Sequence, residues 1–196
     1  MKIINQKRKK EEIIEVAARE FAEKGYDGAN INEIAIMAGI GKGTIYLYFK
    51  TKKDLYLETI RAIVDRFNEM SEQIVSMDLN PFEKLKLVIE TFFQLERESI
   101  SYLKLWSRHQ FQHNPVFPEE VSKIFKDLRQ PLCEIIEEGV EKGEFSTPYP
   151  TVTGYFILSL IVMLMPNLQR PNSVPLVQEE ERIPFILDTV RKLLQK

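Results

Sequence analysis

The chain has a single cysteine, Cys133, and only two histidines, His109 and His113, among its 196 residues. One thiol excludes an internal disulfide framework and suits a reducing compartment. Long apolar runs are also missing. The best stretch, Tyr155 to Met165, is interrupted by Ser159 and stopped by Pro166, well short of the ~20 residues that span a bilayer. The basic N-terminus runs into EEIIEVAAREF, amphipathic and acidic where a signal peptide has an apolar core. These absences point to a soluble cytoplasmic protein with no membrane partner.

Enzyme motifs are lacking too. GIGKGT has the look of a phosphate-binding loop, but Ile36 stands where that loop needs its first glycine. His109 and His113 share a helix face at i and i+4, a spacing that holds a transition metal only with further ligands. No Cys or carboxylate cluster lies close to them in sequence, and no nucleophile or HExxH pattern accompanies them. The plainer reading is two polar residues near a helix end, with His113 favouring the helix dipole. No enzyme activity, metal or other cofactor is expected.

What is present is an ordinary globular composition, 44% hydrophobic and 29% charged. A chain of this length buries about 70% of its unfolded surface and folds without staples. The net charge of −2 hides an asymmetry. Residues 1–53 carry eleven Lys/Arg against seven Asp/Glu, and the remainder 16 against 22. A basic module is joined to an acidic one.

Apolar spacing and punctuation predict helices throughout. Ile13, Ile14, Ala17, Ala18 and Phe21 mark a first helix that stops at Gly25. Asn30 caps a short second helix, with Glu33 reaching back as in a capping box, and Gly39 ends it. Residues 41–49 form a third helix, although IYLYF has strand propensity; no partner strand lies nearby. Thr51 and Asp54 open a long helix to about Ser76. Asn80-Pro81 starts another to about Glu98, and a further one covers roughly Ile100 to His113. Pro118 starts a helix to Gly139 or Gly143 with a kink at Pro131. An apolar helix spans about Thr151 to Leu168, QRPNSVP is a loop, and the last helix covers about Glu180 to Gln195. The fold class is all-α, about nine helices. Cys133 reads as a buried structural thiol.

Function concentrates in NINEIAIMAGIGKGTIYLYFKTKKDL, Asn30 to Leu55. Two short helices across a glycine turn make a helix-turn-helix over about residues 30–49, whose second helix enters the DNA major groove. Ile34, Ala35, Ala38 and Ile40 let the helices cross closely, and Gly39 supplies a positive φ. Gly41, Lys42, Gly43 and Thr44 set backbone N–H groups, an ammonium and a hydroxyl where phosphate oxygens bind. Tyr46, Leu47 and Tyr48 offer rings, a hydroxyl and an apolar edge to bases and sugars. Asn30 and Lys52 flank this surface, Lys52 placed for another phosphate. Lys7 to Lys10 form a basic arm.

At these residues the chain resembles the TetR family of bacterial transcriptional regulators. The matching elements are Ile13-Ile14, Ala17-Ala18 and Phe21, then Gly25-Tyr26, Ile34 to Ile40, Lys42 to Phe49, and Lys52 with Leu55. Gly41 and Ala29-Asn30 depart from the Ser or Thr frequent there. The resemblance implies an N-terminal three-helix DNA-binding domain, residues 1–53, and a larger helical effector-binding and dimerisation domain, 54–196. It implies a dimeric repressor, pairing through its last two helices, that holds two recognition helices about 34 Å apart on a double-stranded operator. A small apolar or amphipathic effector then releases it. An activator of the same architecture is an alternative, as is a ligand or metal sensor with a vestigial DNA-binding unit.

In the second domain Phe92, Tyr102, Trp106, Phe125 and Tyr155 are candidates for an apolar ligand site, with Glu96 or His109 as polar anchor. The apolar helix supplies Phe156, Ser159, Val162 and Met163 to a homodimer interface, joined by Phe185, Leu187, Val190 and Leu194 of the last helix.

Overall fold

The computed structural model describes residues 2–102, 104–105, 116–165 and 176–195, with backbone alone at residues 2–5 and 127. Helix α1 spans Lys2–Gly28, α2 Ile31–Met37, α3 Lys42–Tyr48, α4 Lys52–Val75 and α5 Pro81–Glu98. Then come α6, Pro118–Asp127, α7, Gln130–Glu141, α8, Pro150–Leu164, and α9, Glu179–Leu194. Residues 100–102 and 104–105 are also helical, and no strand occurs among the described residues. The chain is all-α. Most of the helix expected from Ile100 to His113, and the QRPNSVP loop, lie outside the described residues.

Two compact units form, one from Met1–Val64 with Ser99–Ile124, the other from Asp65–Glu98 with Phe125–Lys196. In the first, Ile13, Ala17, Ala18 and Phe21 of α1 are buried, as their spacing dictates. The helix breaks at Gly25, whose φ of 71° and ψ of 178° are not helical, but the chain resumes its coil as far as Gly28. Residues 7–10 are the first turns of α1 and not a separate arm. Arg8 and Lys9 pair with Glu12 at 3.2 and 2.9 Å, and Lys10 reaches Glu58 on α4 at 2.7 Å.

Beyond the Gly25 break, Tyr26 joins Phe21, Tyr56 and Phe117 in an aromatic cluster, edge-to-face at Tyr26–Phe117 and Phe21–Tyr56 with centroids 4.9 and 5.0 Å apart. Such contacts add to plain area burial. Phe117 needs them, because its φ of 53° is strained for a residue with a Cβ. Lys53 lies over its ring at 4.3 Å and pairs with Glu120 at 2.6 Å, which holds that carboxyl below its usual range.

The second unit is built on α5, α7, α8 and α9. Leu85, Ile89, Leu132, Ile135, Ile136, Ile157, Ile161 and Ile186 are fully buried. Close approach of α7 and α8 depends on Gly154, where a Cβ would stand 2.8 Å from Cys133 Sγ. Cys133 is partly exposed and not the buried thiol expected; what burial it has pushes its pKa up. Lys84 is buried on α5 and donates to Val75 O at the end of α4 at 2.8 Å and to Glu138 of α7 at 2.9 Å. Lys142 and Lys84 together hold the Glu138 carboxyl below its ordinary range.

Two helix boundaries differ from expectation for one reason, proline. Pro131 does not kink a continuous helix; α6 ends, and Pro131 occupies the first turn of α7, where its missing N–H removes no bond. The apolar helix stops at Leu164, short of Leu168, because Met165 precedes Pro166 and takes an extended conformation, φ −75°, ψ 113°. In contrast, Pro184 is accommodated inside α9.

Candidate nucleic-acid interface

The turn between α2 and α3 is set by its own hydrogen bonds. Gly39, at φ 62°, donates to Ile36 O at 3.0 Å, and Ile40 donates to Ala35 O at 3.0 Å. This is the double closure of a Schellman motif, whose central position favours glycine. At the other end of α2, Asn30 Oδ1 accepts from Asn32 N at 2.8 Å. The expected reciprocal bond to Glu33 is absent. Glu20, buried on α1, accepts from Asn30 N at 3.2 Å and leaves Glu33 exposed. A tertiary carboxylate outcompetes the local one here.

Helix α3 is anchored by Ile45 and, just past its end, Phe49, both buried. Their i and i+4 spacing turns the opposite face outward. Lys42, Gly43, Tyr46 and Leu47 are exposed, Leu47 by 83%, while Thr44 and Tyr48 are half-buried. No side chain caps the α3 N-terminus at Gly41, so its backbone N–H groups stay available to an anion. The box at the start of α4 closes fully: Thr51 N donates to Asp54 Oδ2 and Asp54 N to Thr51 Oγ1, both at 3.0 Å. Lys52 is less free than its position suggested. Its Nζ donates to Asp27 O at 3.3 Å and lies 4.9 Å from the Tyr26 ring centroid. Sequence reasoning overlooked Ile36 and Met37, apolar and exposed on α2; the shortness of that helix, one buried turn deep, was the clue.

Of the ligand-site candidates, Phe92, Glu96 and Phe125 are buried in the second unit, and Phe92 meets Phe67 of α4 with ring centroids 4.0 Å apart. Tyr155 is exposed, with the Arg129 guanidinium 4.2 Å from its ring centroid. Tyr102 is half-buried and belongs to the first unit. Trp106, His109 and His113 lie outside the described residues.

On α8, Phe156, Ser159 and Met163 are exposed and Val162 is half-buried. Val152 extends them into one stripe at i, i+4, i+7 and i+11 that was not anticipated beyond its core. Phe185 is exposed on α9 and Leu187 half-buried. Val190 and Leu194 are 0% and 2% exposed inside their own unit, so they have no surface to offer a second chain. Leu193, eight residues from Phe185 and exposed, holds the outward position instead.

An all-helical chain with a Schellman-turned helix pair presenting one polar and apolar face is a helix-turn-helix protein. The family model of bacterial regulatory proteins of the tetR family matches residues 13–59, and that of the tetracyclin repressor-like C-terminal domain matches residues 78–165. The chain is 32% identical over 133 residues to the fatty acid metabolism regulator protein of Bacillus subtilis, covering 68% of this chain and 69% of that one. It is 27% identical over 139 residues to the transcriptional repressor KstR2 of Mycolicibacterium smegmatis, 70% of this chain and 67% of the other. The crystal structure of the transcriptional regulator FadR from Bacillus subtilis in complex with stearoyl-CoA superposes with a TM-score of 0.80 at 25% identity, over 94% of this chain and 98% of that one. The chain belongs to the TetR family of bacterial transcriptional regulators.

Proposed function

We propose that the chain is a homodimeric repressor that grips a double-stranded DNA operator with α3 and is released by an amphipathic acyl ligand, an acyl-CoA first among them. The observation that carries the DNA-binding half is the outward face of α3, where Leu47 is 83% exposed on a helix anchored by Ile45 and Phe49. An apolar side chain so exposed suits contact with thymine methyls and sugars. Gly41, Lys42, Gly43 and Thr44 hold phosphates, Tyr46, Leu47 and Tyr48 face base edges, and Asn30 and Lys52 steady the flanks. Residues 1–53 act as the DNA-binding domain and 54–196 as the effector and dimerisation domain. The reaction is binding alone, without catalysis, in the cytoplasm beside the DNA.

The ligand class is supported by the relatives, one a fatty acid metabolism regulator and one solved with stearoyl-CoA. Phe92, Glu96, Phe125 and Tyr155 contribute to its site, the first three being buried in the second unit. Pairing uses the apolar stripe of Phe156, Ser159, Val162 and Met163 with Phe185, Leu187 and the added Leu193. An effector that releases DNA needs a coupling of about 1–3 kcal/mol between the two sites.

Fluorescence anisotropy against DNA from upstream of the chain's own gene, at two salt concentrations and beside a random duplex, tests this. Preference of about a thousandfold for the upstream DNA is expected, with release on adding stearoyl-CoA. Equal binding to both duplexes contradicts the repressor reading at that site. Tight binding indifferent to stearoyl-CoA removes the acyl effector and leaves the repressor.

A further inference from the structure

Buried polar atoms in folded chains nearly always have a hydrogen-bond partner. Among the described residues Asn68 Oδ1, Ser71 Oγ and Arg129 Nε have none. Arg129 is partly exposed and lies over Tyr155, so water reaches the rest of its guanidinium. Ser71 is different, being 0% exposed near the C-terminal end of α4. The usual escape for such a hydroxyl is to donate to the carbonyl one turn back. Thr59 does so to Leu55 at 2.7 Å, Thr91 to Leu87 at 2.9 Å, and Thr153 to Tyr149 at 2.9 Å. Ser71 does not, although Phe67 O stands at the same offset.

Asn68 and Ser71 are i and i+3, neighbours on one helix surface. Next to Asn68 and one turn before Ser71 is Phe67, whose ring meets Phe92. We propose that Asn68 and Ser71 are a polar contact of the effector site and recognise a neutral amide of the amphipathic ligand. Asn68 Oδ1 only accepts, so the ligand must donate to it; Ser71 Oγ donates in return. An ionised carboxylate or phosphate, or a bare thioester, has no proton to give Asn68. An amide supplies both the N–H and the C=O. This inference rests on the acyl-ligand reading above and narrows it: the pantetheine arm of an acyl-CoA carries amides beside its thioester, and a free fatty acid carries none.

The test is calorimetric titration of the full-length protein with stearoyl-CoA and with stearate, below their micellar concentrations, for wild type, Ser71→Ala and Asn68→Leu. Stearoyl-CoA is expected to weaken about tenfold in each variant, the worth of one good hydrogen bond. Stearate is expected to bind the wild type more weakly and to be unaffected by either change. Ser71→Ala without ligand is expected to melt at or above the wild-type temperature, since an unpaired hydroxyl contributes nothing to the fold. Unchanged stearoyl-CoA affinity overturns the proposal, the two atoms then meeting water alone. Equal losses for both ligands overturn it in favour of a role in shape. A lowered melting temperature for Ser71→Ala overturns it in favour of a structural partner. A wild type that binds neither ligand refutes the acyl reading itself and takes this assignment with it, an outcome distinct from a variant that merely fails to differ.

Discussion

Leu47 and Lys42 divide the proposed DNA contact between them at the level of single side chains. Leu47 is apolar and turned to solvent, which a soluble chain tolerates singly but gains nothing from. Leu47→Ala is expected to leave the melting temperature within about a degree, since no buried contact is lost, while altering preference among operator variants in anisotropy titrations. An equal loss on every sequence would rule out base reading by this residue. Lys42 is exposed at the first turn of α3, and its proposed contact is a phosphate. Lys42→Ala is expected to weaken all duplexes alike and to reduce the salt slope by about one per chain. The spacing of Ile45 and Phe49 was enough to orient this face. The engagement of Lys52 with Asp27 O was not legible, because it depends on where the Gly25 break directs the chain.

Among the elements, the α7–α8 pair is closely constrained at Gly154. The Cβ of Gly154→Ala would stand 2.8 Å from Cys133 Sγ and 3.3 Å from Cys133 N. Backbone cannot yield as a side chain can, so destabilisation of about 1–3 kcal/mol is expected, in the range of overpacked cores. Adding Cys133→Ala removes the Sγ clash and leaves the backbone contact. The double variant is expected to recover part of the loss in a denaturant titration, and full recovery would show that the backbone approach is not tight. The sequence showed a glycine near the start of an apolar helix and nothing of its partner. Likewise Asn80 and Thr51 formed the local caps their spacing suggested, whereas Asn30 found Glu20 from another helix.

For the whole molecule, the stripe from Val152 to Met163 on α8 leaves an apolar surface that a lone chain would expose to water. Phe156 is 51% exposed, so Phe156→Glu adds a charge without disturbing the protomer's core. Sedimentation velocity is expected to show a dimer for the wild type and monomers for this variant, with operator affinity falling because two half-sites are no longer gripped together. A dimeric Phe156→Glu protein would place the pairing surface elsewhere.

The sequence by itself determined the all-helical class, the glycine turn between α2 and α3 and the family, because each rests on short-range spacing: an apolar period, a residue able to take positive φ, a proline at a helix start. Only the tertiary structure decided which apolar residues face outward. Val190 and Phe185 share one helix and one chemistry, yet the first is core and the second exposed, and α8 is apolar on faces of both kinds. It also decided which polar atoms went unpaired. Ser71 and Thr59 are both buried hydroxyls of α4, and only Thr59 satisfies itself. Periodicity gives the angle between side chains on a helix; what that helix is laid against, and therefore which angle points inward, comes from contacts far apart in the chain.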